Sequence, residues 1–202
     1  MPLIPLFPLE LVLFPGTLLP LHIFEPRYKE LIGECLAGEK LFGIVRSKDK
    51  GIAQQGTTAK VVEVVKRYED GRMDIVTEGL QRFEIVNVDE ARAFLRGEVS
   101  YFDDDDGPDA EAELRGKLLD LHAQMVKLSG EEIELPDAAH PQLSFQVCAA
   151  LPLDLDFKQG LLGLRSERER IIKIIQYYEV LLPRLRLTIK ARAKAGGNGH
   201  VS

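Results

Sequence analysis

Residues 59–77, Ala-Lys-Val-Val-Glu-Val-Val-Lys-Arg-Tyr-Glu-Asp-Gly-Arg-Met-Asp-Ile-Val-Thr, decide the class of fold. Ala59 to Tyr68 and Met73 to Thr77 read as strands, and Glu69-Asp70-Gly71-Arg72 between them reads as a hairpin turn, because an Asp-Gly pair tolerates positive φ. The strand pattern spreads outward from this turn, through Leu41 to Val45 on one side and Phe83 to Val88 and Phe94 to Tyr101 on the other. Leu3 to Phe7 and Leu11 to Phe14 are further apolar runs ended by proline or glycine, and proline there favours extended or edge backbone. About five to seven short strands before residue 102 predict a small closed or partly closed barrel. One helix interrupts them. It opens at Glu25-Pro26, since proline suits a first helical turn, buries Tyr28, Leu31, Ile32, Cys35 and Leu36, and stops at Gly38.

Beyond Asp103-Asp-Asp-Asp-Gly-Pro the period changes. Four consecutive carboxylates stay hydrated, so residues 103–108 are expected to form an acidic linker. Leu114, Leu118, Leu121, Met125 and Leu128 then define one helical face. Pro141 to Ala150 and Phe157 to Leu164 read as shorter helices, and Ser166-Glu-Arg-Glu169 is a capping box for a last helix that Pro183 should kink or end. The expected organisation is α+β: a β-rich barrel over 1–102, the linker over 103–108, a helical bundle over 109–190, and a disordered basic and glycine-rich tail over 191–202.

A net charge of -6 works against non-specific nucleic-acid binding, which needs a basic face. The cations Arg184, Arg186, Lys190, Arg192 and Lys194 near the end are the exception. Cys35 and Cys148 stand alone among apolar residues and read as reduced core thiols. No basic residue precedes the apolar N-terminus, and no apolar run approaches the ~20 residues needed to span a bilayer, so the cytoplasm is the expected location.

Motifs for chemistry are missing. Gly33 to Lys40 spaces two glycines like a phosphate loop, but Glu39 stands where lysine should contact phosphate. Histidines 22, 122, 140 and 200 show no ligand spacing, and His22 reads as a hydrogen-bonded structural residue. No Gly-x-Ser-x-Gly elbow occurs, and Ser47-Lys48 are merely adjacent. No cofactor and no metal are expected.

The run Pro5-Leu6-Phe7-Pro8-Leu9, Val12-Leu13-Phe14-Pro15-Gly16 and Leu19-Pro20-Leu21-His22-Ile23-Phe24-Glu25-Pro26-Arg27-Tyr28 closely resembles the opening of the Lon protease N-terminal domain. The same landmarks continue through Phe42-Gly43-Ile44-Val45, Gly56-Thr57-Thr58-Ala59, Asp70-Gly71-Arg72, Gly79-Leu80-Gln81-Arg82-Phe83 and Gln159-Gly160-Leu161-Leu162. The resemblance covers about residues 2–190. It implies a PUA-like pseudo-barrel followed by a helical bundle, and a role in recognising protein substrates and in oligomer assembly. The sequence stops where the linker helix, ATPase and Ser–Lys peptidase of full-length Lon would follow. The resemblance therefore implies a stand-alone, non-catalytic module in protein quality control, binding unfolded or extended polypeptide and serving a protease or chaperone.

Phe14, Phe24, Glu25, Arg27, Tyr28, Arg82 and Phe83 are the residues singled out, as polypeptide contacts or as structural elements of the motif. Glu25 is expected to cap the helix, and Arg27 to pair with a carboxylate from the barrel. The first strands are expected to be free edges to which an extended chain could add. An RNA-binding PUA-like module is the alternative, with an enzyme of unknown type behind it. The acidic balance, the lack of Trp and the lack of interleaved basic and aromatic residues in the barrel disfavour RNA.

Overall fold

The computed structural model describes residues 1–130 and 132–197. They divide into two compact units: Met1–Asp105 with Pro152–Arg165, and a second running from Asp106 to Leu151 and again from Ser166 onward.

The first unit carries β1 (Leu3–Leu9), β2 (Leu18–Ile23), α1 (Pro26–Gly38), β3 (Phe42–Lys48), β4 (Gly51–Arg67), β5 (Met73–Asp89), β6 (Arg96–Phe102) and, far along the chain, α4 (Leu155–Gly163). The strands lie in the order β2-β5-β4-β3-β1-β6, and β6 also pairs with β5, which closes the sheet into the expected pseudo-barrel. The hairpin at 68–72 forms as read, with Gly71 at φ 82°. Met73–Thr77 and Phe83–Val88, expected as separate strands, are parts of one continuous β5. Its length lets it serve two neighbours on one side, β2 along residues 73–78 and β6 along 82–89.

Two early expectations fail. Leu11–Phe14 is not a strand but a buried connection: the Leu13 carbonyl accepts the Thr57 hydroxyl at 2.7 Å, and the Phe14 carbonyl accepts that of Thr17 at 2.7 Å. The second strand instead forms at Leu18–Ile23, across Pro20. Nor is β1 a simple edge, because Leu3–Pro5 pair with β6 and Leu6–Leu9 pair in parallel with β3. Each half of β1 has one strand partner, which leaves room for prolines that cannot donate. β2 pairs with β5 alone among the described residues.

Helix α1 begins at Pro26 and buries Tyr28, Leu31, Ile32 and Cys35 against Phe7, Leu13, Ile23, Phe42 and Ile75. It ends at Gly38 as expected, and Glu39, one residue on, takes the left-handed cap at φ 49°. A second cluster packs Ile4, Leu6, Val45, Phe83, Ile85 and Val99. Glycine is required beside Phe83: a Cβ on Gly43 or Gly56 would stand 2.6 or 2.7 Å from the Phe83 ring.

Helix α4 corrects the expected domain boundary, since residues 152–165 belong to the barrel unit and not to the bundle. Arg82, only 2% exposed, holds it there. Its Nη1 donates to the carbonyls of Leu162 (3.0 Å) and Leu164 (2.6 Å), and its Nη2 to the Asp104 carboxylate at 2.5 Å. Asp103 accepts from Gln81 at 3.2 Å, and the Asp105 N–H donates to the Arg165 carbonyl at 2.8 Å. The first three aspartates of the expected linker are therefore tied into the barrel. Coulomb repulsion along the run is offset by a buried guanidinium that sequence spacing does not show.

The second unit contains α2 (Ala112–Ser129), α3 (Leu143–Ala149) and α5 (Glu167–Gly197). Ion pairs and hydrogen bonds join Glu111 to Arg168, Lys117 to Glu179 and Gln124 to Arg186, so α2 and α5 run side by side in the same direction. Leu118, His122 and Met125 bury the inner face of α2. Fully buried Arg170 donates to Ser144 Oγ (2.9 Å) and to Glu167 (2.8 Å) while lying 4.2 Å over the Phe145 ring. The Glu169 N–H donates to Ser166 Oγ at 3.3 Å, as a capping box requires. Pro183 does not end α5, which continues to Gly197, so the expected disordered tail is helical over 191–197, and 198–202 lie outside the described residues.

Candidate functional site

A cavity of about 300 Å³ opens where the end of β1, the end of β2 and the first turn of α1 meet. Phe7, Leu9, Leu21, Ile23 and Tyr28 give it an apolar floor, and His22, Phe24, Glu25, Arg27 and Ser47 stand around them. Pro8 and Leu9 pair with β3 only, and Leu21–Ile23 with β5 only, among the described residues. The cavity thus lies between two strand segments that each have one neighbour.

Four of the residues singled out from sequence converge here. Phe24 is 58% exposed just past the end of β2, with its ring 6.0 Å from that of His22. Tyr28 stacks on Phe7, centroids 4.0 Å apart at 26°, and burial raises its hydroxyl pKa, against the opposing charge of Arg27. Glu25 precedes the helix but makes no side-chain cap, and Arg27 pairs with Glu25 itself at 2.7 Å rather than with a barrel carboxylate. Adjacent charges two residues apart satisfy each other sooner than a distant partner can. Arg27 also lies 4.7 Å over the Tyr28 ring.

The other three are interior. Phe14, Arg82 and Phe83 are at most 2% exposed, so they act as structure and do not reach a ligand from these positions.

One cluster escaped the sequence reading. His22 Nδ1 lies 2.5 Å from Asp74 Oδ1, and Asp74 also accepts the Tyr68 hydroxyl at 2.7 Å. The hydrogen bonds from His22 and then Tyr68 lower the Asp74 pKa, and the bond to Asp74 raises that of Tyr68. His22 is hydrogen-bonded as expected, yet its side chain is 45% exposed, on the solvent side of β2. Cross-strand register brings His22 opposite Asp74, and no local spacing announces it. Lys66 and Arg72 lie 4.5 and 4.9 Å over the Tyr68 ring, so bases and aromatics do interleave here in space, though not in sequence.

Among the described residues no group of His, Cys, Asp and Glu could hold a metal, and no helix is long and apolar enough to cross a membrane. Cys35, its thiol pushed up to about 11 by burial, is a weak nucleophile at neutral pH.

The six-stranded sheet closed by β5–β6, with its helices, gives the expected α+β class with a PUA-like pseudo-barrel. The chain belongs to the ATP-dependent protease La (LON) substrate-binding domain family, whose description it matches over residues 3–179. It is 26% identical to the Lon protease of Flavobacterium johnsoniae over 210 residues, and 25% identical to Lon protease 1 of Bacillus subtilis over 190. Those matches cover 95% and 86% of this chain but 26% and 24% of the relatives, so the chain spans about a quarter of their length. Its fold resembles the crystal structure of a Lon N-terminal domain protein from Xanthomonas campestris (TM-score 0.70, 24% identity, 88% of this chain and 99% of that one). The N-terminal domain of a Mycobacterium avium complex Lon protease is similar in the same way (TM-score 0.66, 18% identity, 88% and 98% covered).

Proposed function

We propose that the barrel recognises extended or unfolded polypeptide without catalysis, selecting protein substrates for a Lon-type protease or a chaperone in the cytoplasm. The observation that carries this is the one-sided pairing of β2, with Leu18, Pro20 and His22 exposed along it. Backbone groups without a ladder partner accept an incoming strand of almost any sequence, while neighbouring apolar side chains add a loose preference. A small, loosely discriminating interface supports affinities of roughly micromolar or weaker, which lets a client leave. Cys35 and Cys148 are buried thiols, which agrees with a reducing compartment.

The test titrates a fluorescent unfolded polypeptide, its folded counterpart and a single-stranded RNA of matched length at low and moderate salt. The unfolded chain should bind best with little salt dependence, and the protein should hydrolyse neither ATP nor casein. A second reading, RNA binding, is favoured by the cations flanking Tyr68 beside His22 and Phe24. Asp70 and Asp74 offset that charge, being bonded to Arg72 and His22. RNA binding that weakens steeply with salt, with no polypeptide binding, would replace the first reading by the second.

A further inference from the structure

We infer that the cavity between the C-terminal turn of α1 and β4 is a binding site for a monocarboxylate with a short aliphatic body, held between the ammonium groups of Lys40 and Lys60. It lies at the opposite end of α1 from the cavity beside β2, and it does not depend on the reading of the barrel as a polypeptide-recognition module. A free short-chain acid and the carboxyl-terminal residue of a polypeptide share this chemistry.

The helix end and the sheet make the space. α1 closes with Glu39 in the left-handed conformation, and the Lys40 N–H donates to the Cys35 carbonyl at 2.9 Å. A cavity of about 230 Å³ remains between this turn and Lys60 and Val61 of β4. Its floor is apolar, because Cys35 belongs to the core cluster under α1, and Leu36 and Val61 pack against that cluster. Glu39, Lys40 and Lys60 supply the charged part of the lining. The volume suits a ligand of a few carbon atoms and is below that of drug-sized sites.

The charges choose the ligand. Neither the Lys40 nor the Lys60 ammonium makes an ion pair or a hydrogen bond among the described residues. Glu78 stands opposite Lys60 in the β4–β5 register without pairing to it. The Lys40 stem folds back over Gly38, where a Cβ would stand 3.0 Å from its Cε. Burial raises the Cys35 thiol pKa, the Glu34 charge raises it further, and the Lys40 charge opposes both, so that ammonium acts over the cavity floor. Glu34 is itself bonded to Arg92, at 3.0 Å. The lining thus sets two cations against the one carboxylate of Glu39, a surplus of one positive charge. A monoanion matches that surplus. A phosphate dianion would be repelled by Glu39 and by the carbonyl end of α1, and an amine by both lysines. The apolar floor adds affinity for the body of the ligand, about fourfold for each methylene it buries.

The experiment titrates the isotope-labelled full chain at neutral pH with isocaproate, isocaproamide and isohexylamine, which share one skeleton, and follows backbone amide shifts. Isocaproate should move the amides of Leu36, Lys40 and Val61, with the amide and the amine about tenfold weaker. Acetate, butyrate and isocaproate should tighten in that order. Lys40→Gln and Lys60→Gln change exposed residues, so the fold tolerates them, and each should weaken isocaproate about two- to fivefold. A polar peptide ending in leucine, with a free or an amidated terminus, separates the two sources. Tighter binding of the free-terminus peptide than of isocaproate, at the same amides, assigns the site to polypeptide ends, and binding of the small acid alone assigns it to a metabolite. Equal binding of acid and amide, or tighter binding of the amine or of inorganic phosphate, would overturn the proposal. So would shifts confined to residues outside this lining, an unchanged affinity in the variant carrying both lysine substitutions, or no shift with any probe up to its solubility limit.

Discussion

Replacing Arg82 by Met tests whether the buried guanidinium holds α4 and the aspartate run to the barrel. The substitution keeps an unbranched apolar stem but deletes the guanidinium's hydrogen bonds, among them those to Leu162 O, Leu164 O and Asp104 Oδ1. Two carbonyls lose their donor where the arginine was 2% exposed, and each costs about 1 kcal/mol or more when left unmet. Asp104 keeps 30% of its side-chain exposure and can rehydrate, so losing its partner costs less than in a dry interior. Breaking fully buried pairs costs about 3–5 kcal/mol, and the wet carboxylate places this variant near the lower end, about 3 kcal/mol. Urea unfolding followed by circular dichroism measures the loss. Asp104→Asn, which keeps both carbonyl bonds, should lose about 1 kcal/mol. An Asp-specific protease should cut within 103–106 far faster in Arg82→Met than in the parent. A loss below about 1 kcal/mol for Arg82→Met, or an equal loss for Asp104→Asn, would refute the assignment of α4 docking to this residue.

Two further outcomes follow from buried groups. His122 is fully buried beside the Tyr178 hydroxyl at 3.2 Å, its Nε2 has no partner, and burial lowers its pKa to about 4. The unfolded chain, titrating near ~6.5, binds a proton that the folded chain refuses, so stability is full above that pH and falls as pH drops toward 4. Between pH 7 and 5 the loss should be about 2 kcal/mol, measured by urea unfolding at each pH, and His122→Leu should flatten that slope. Gly56→Ala would set a methyl 2.7 Å from the Phe83 ring and against the Ile44 carbonyl. Overpacking of this kind costs about 1–3 kcal/mol, and Phe83→Leu in the same chain should recover part of it in a thermal melt.

Much of the architecture is legible one residue at a time. The hairpin at Asp70-Gly71, the helix opening at Pro26 and the inward face of Tyr28, Leu31, Ile32 and Cys35 all appear where local rules put them. Those rules act over a few residues, through allowed φ, a missing donor or the pitch of a helix, and so they are written in sequence. The PUA-like barrel itself was available only through resemblance, carried by the run from Pro5 to Tyr28. The candidate site was half legible. Phe24 and Tyr28 converge as aromatic neighbours of a helix start, but Phe14, Arg82 and Phe83 from the same motif turned out to build the interior.

What tertiary structure alone decided concerns partners far apart along the chain. β1 and β2 are both apolar strands interrupted by proline, yet β1 meets two strands and β2 one, because β5 is long enough to take β2 and β6 in succession. Helix α4 looks like bundle sequence and belongs to the barrel, since the donors that fix it come from Arg82, about eighty residues earlier. The aspartate run looks like pure repulsion until that same guanidinium reaches Asp104. Opposing His22 to Asp74 and leaving a cavity between β1 and β2 are consequences of register and closure. Local propensity is fixed by neighbours in sequence, whereas an unpaired edge is a property of the whole sheet.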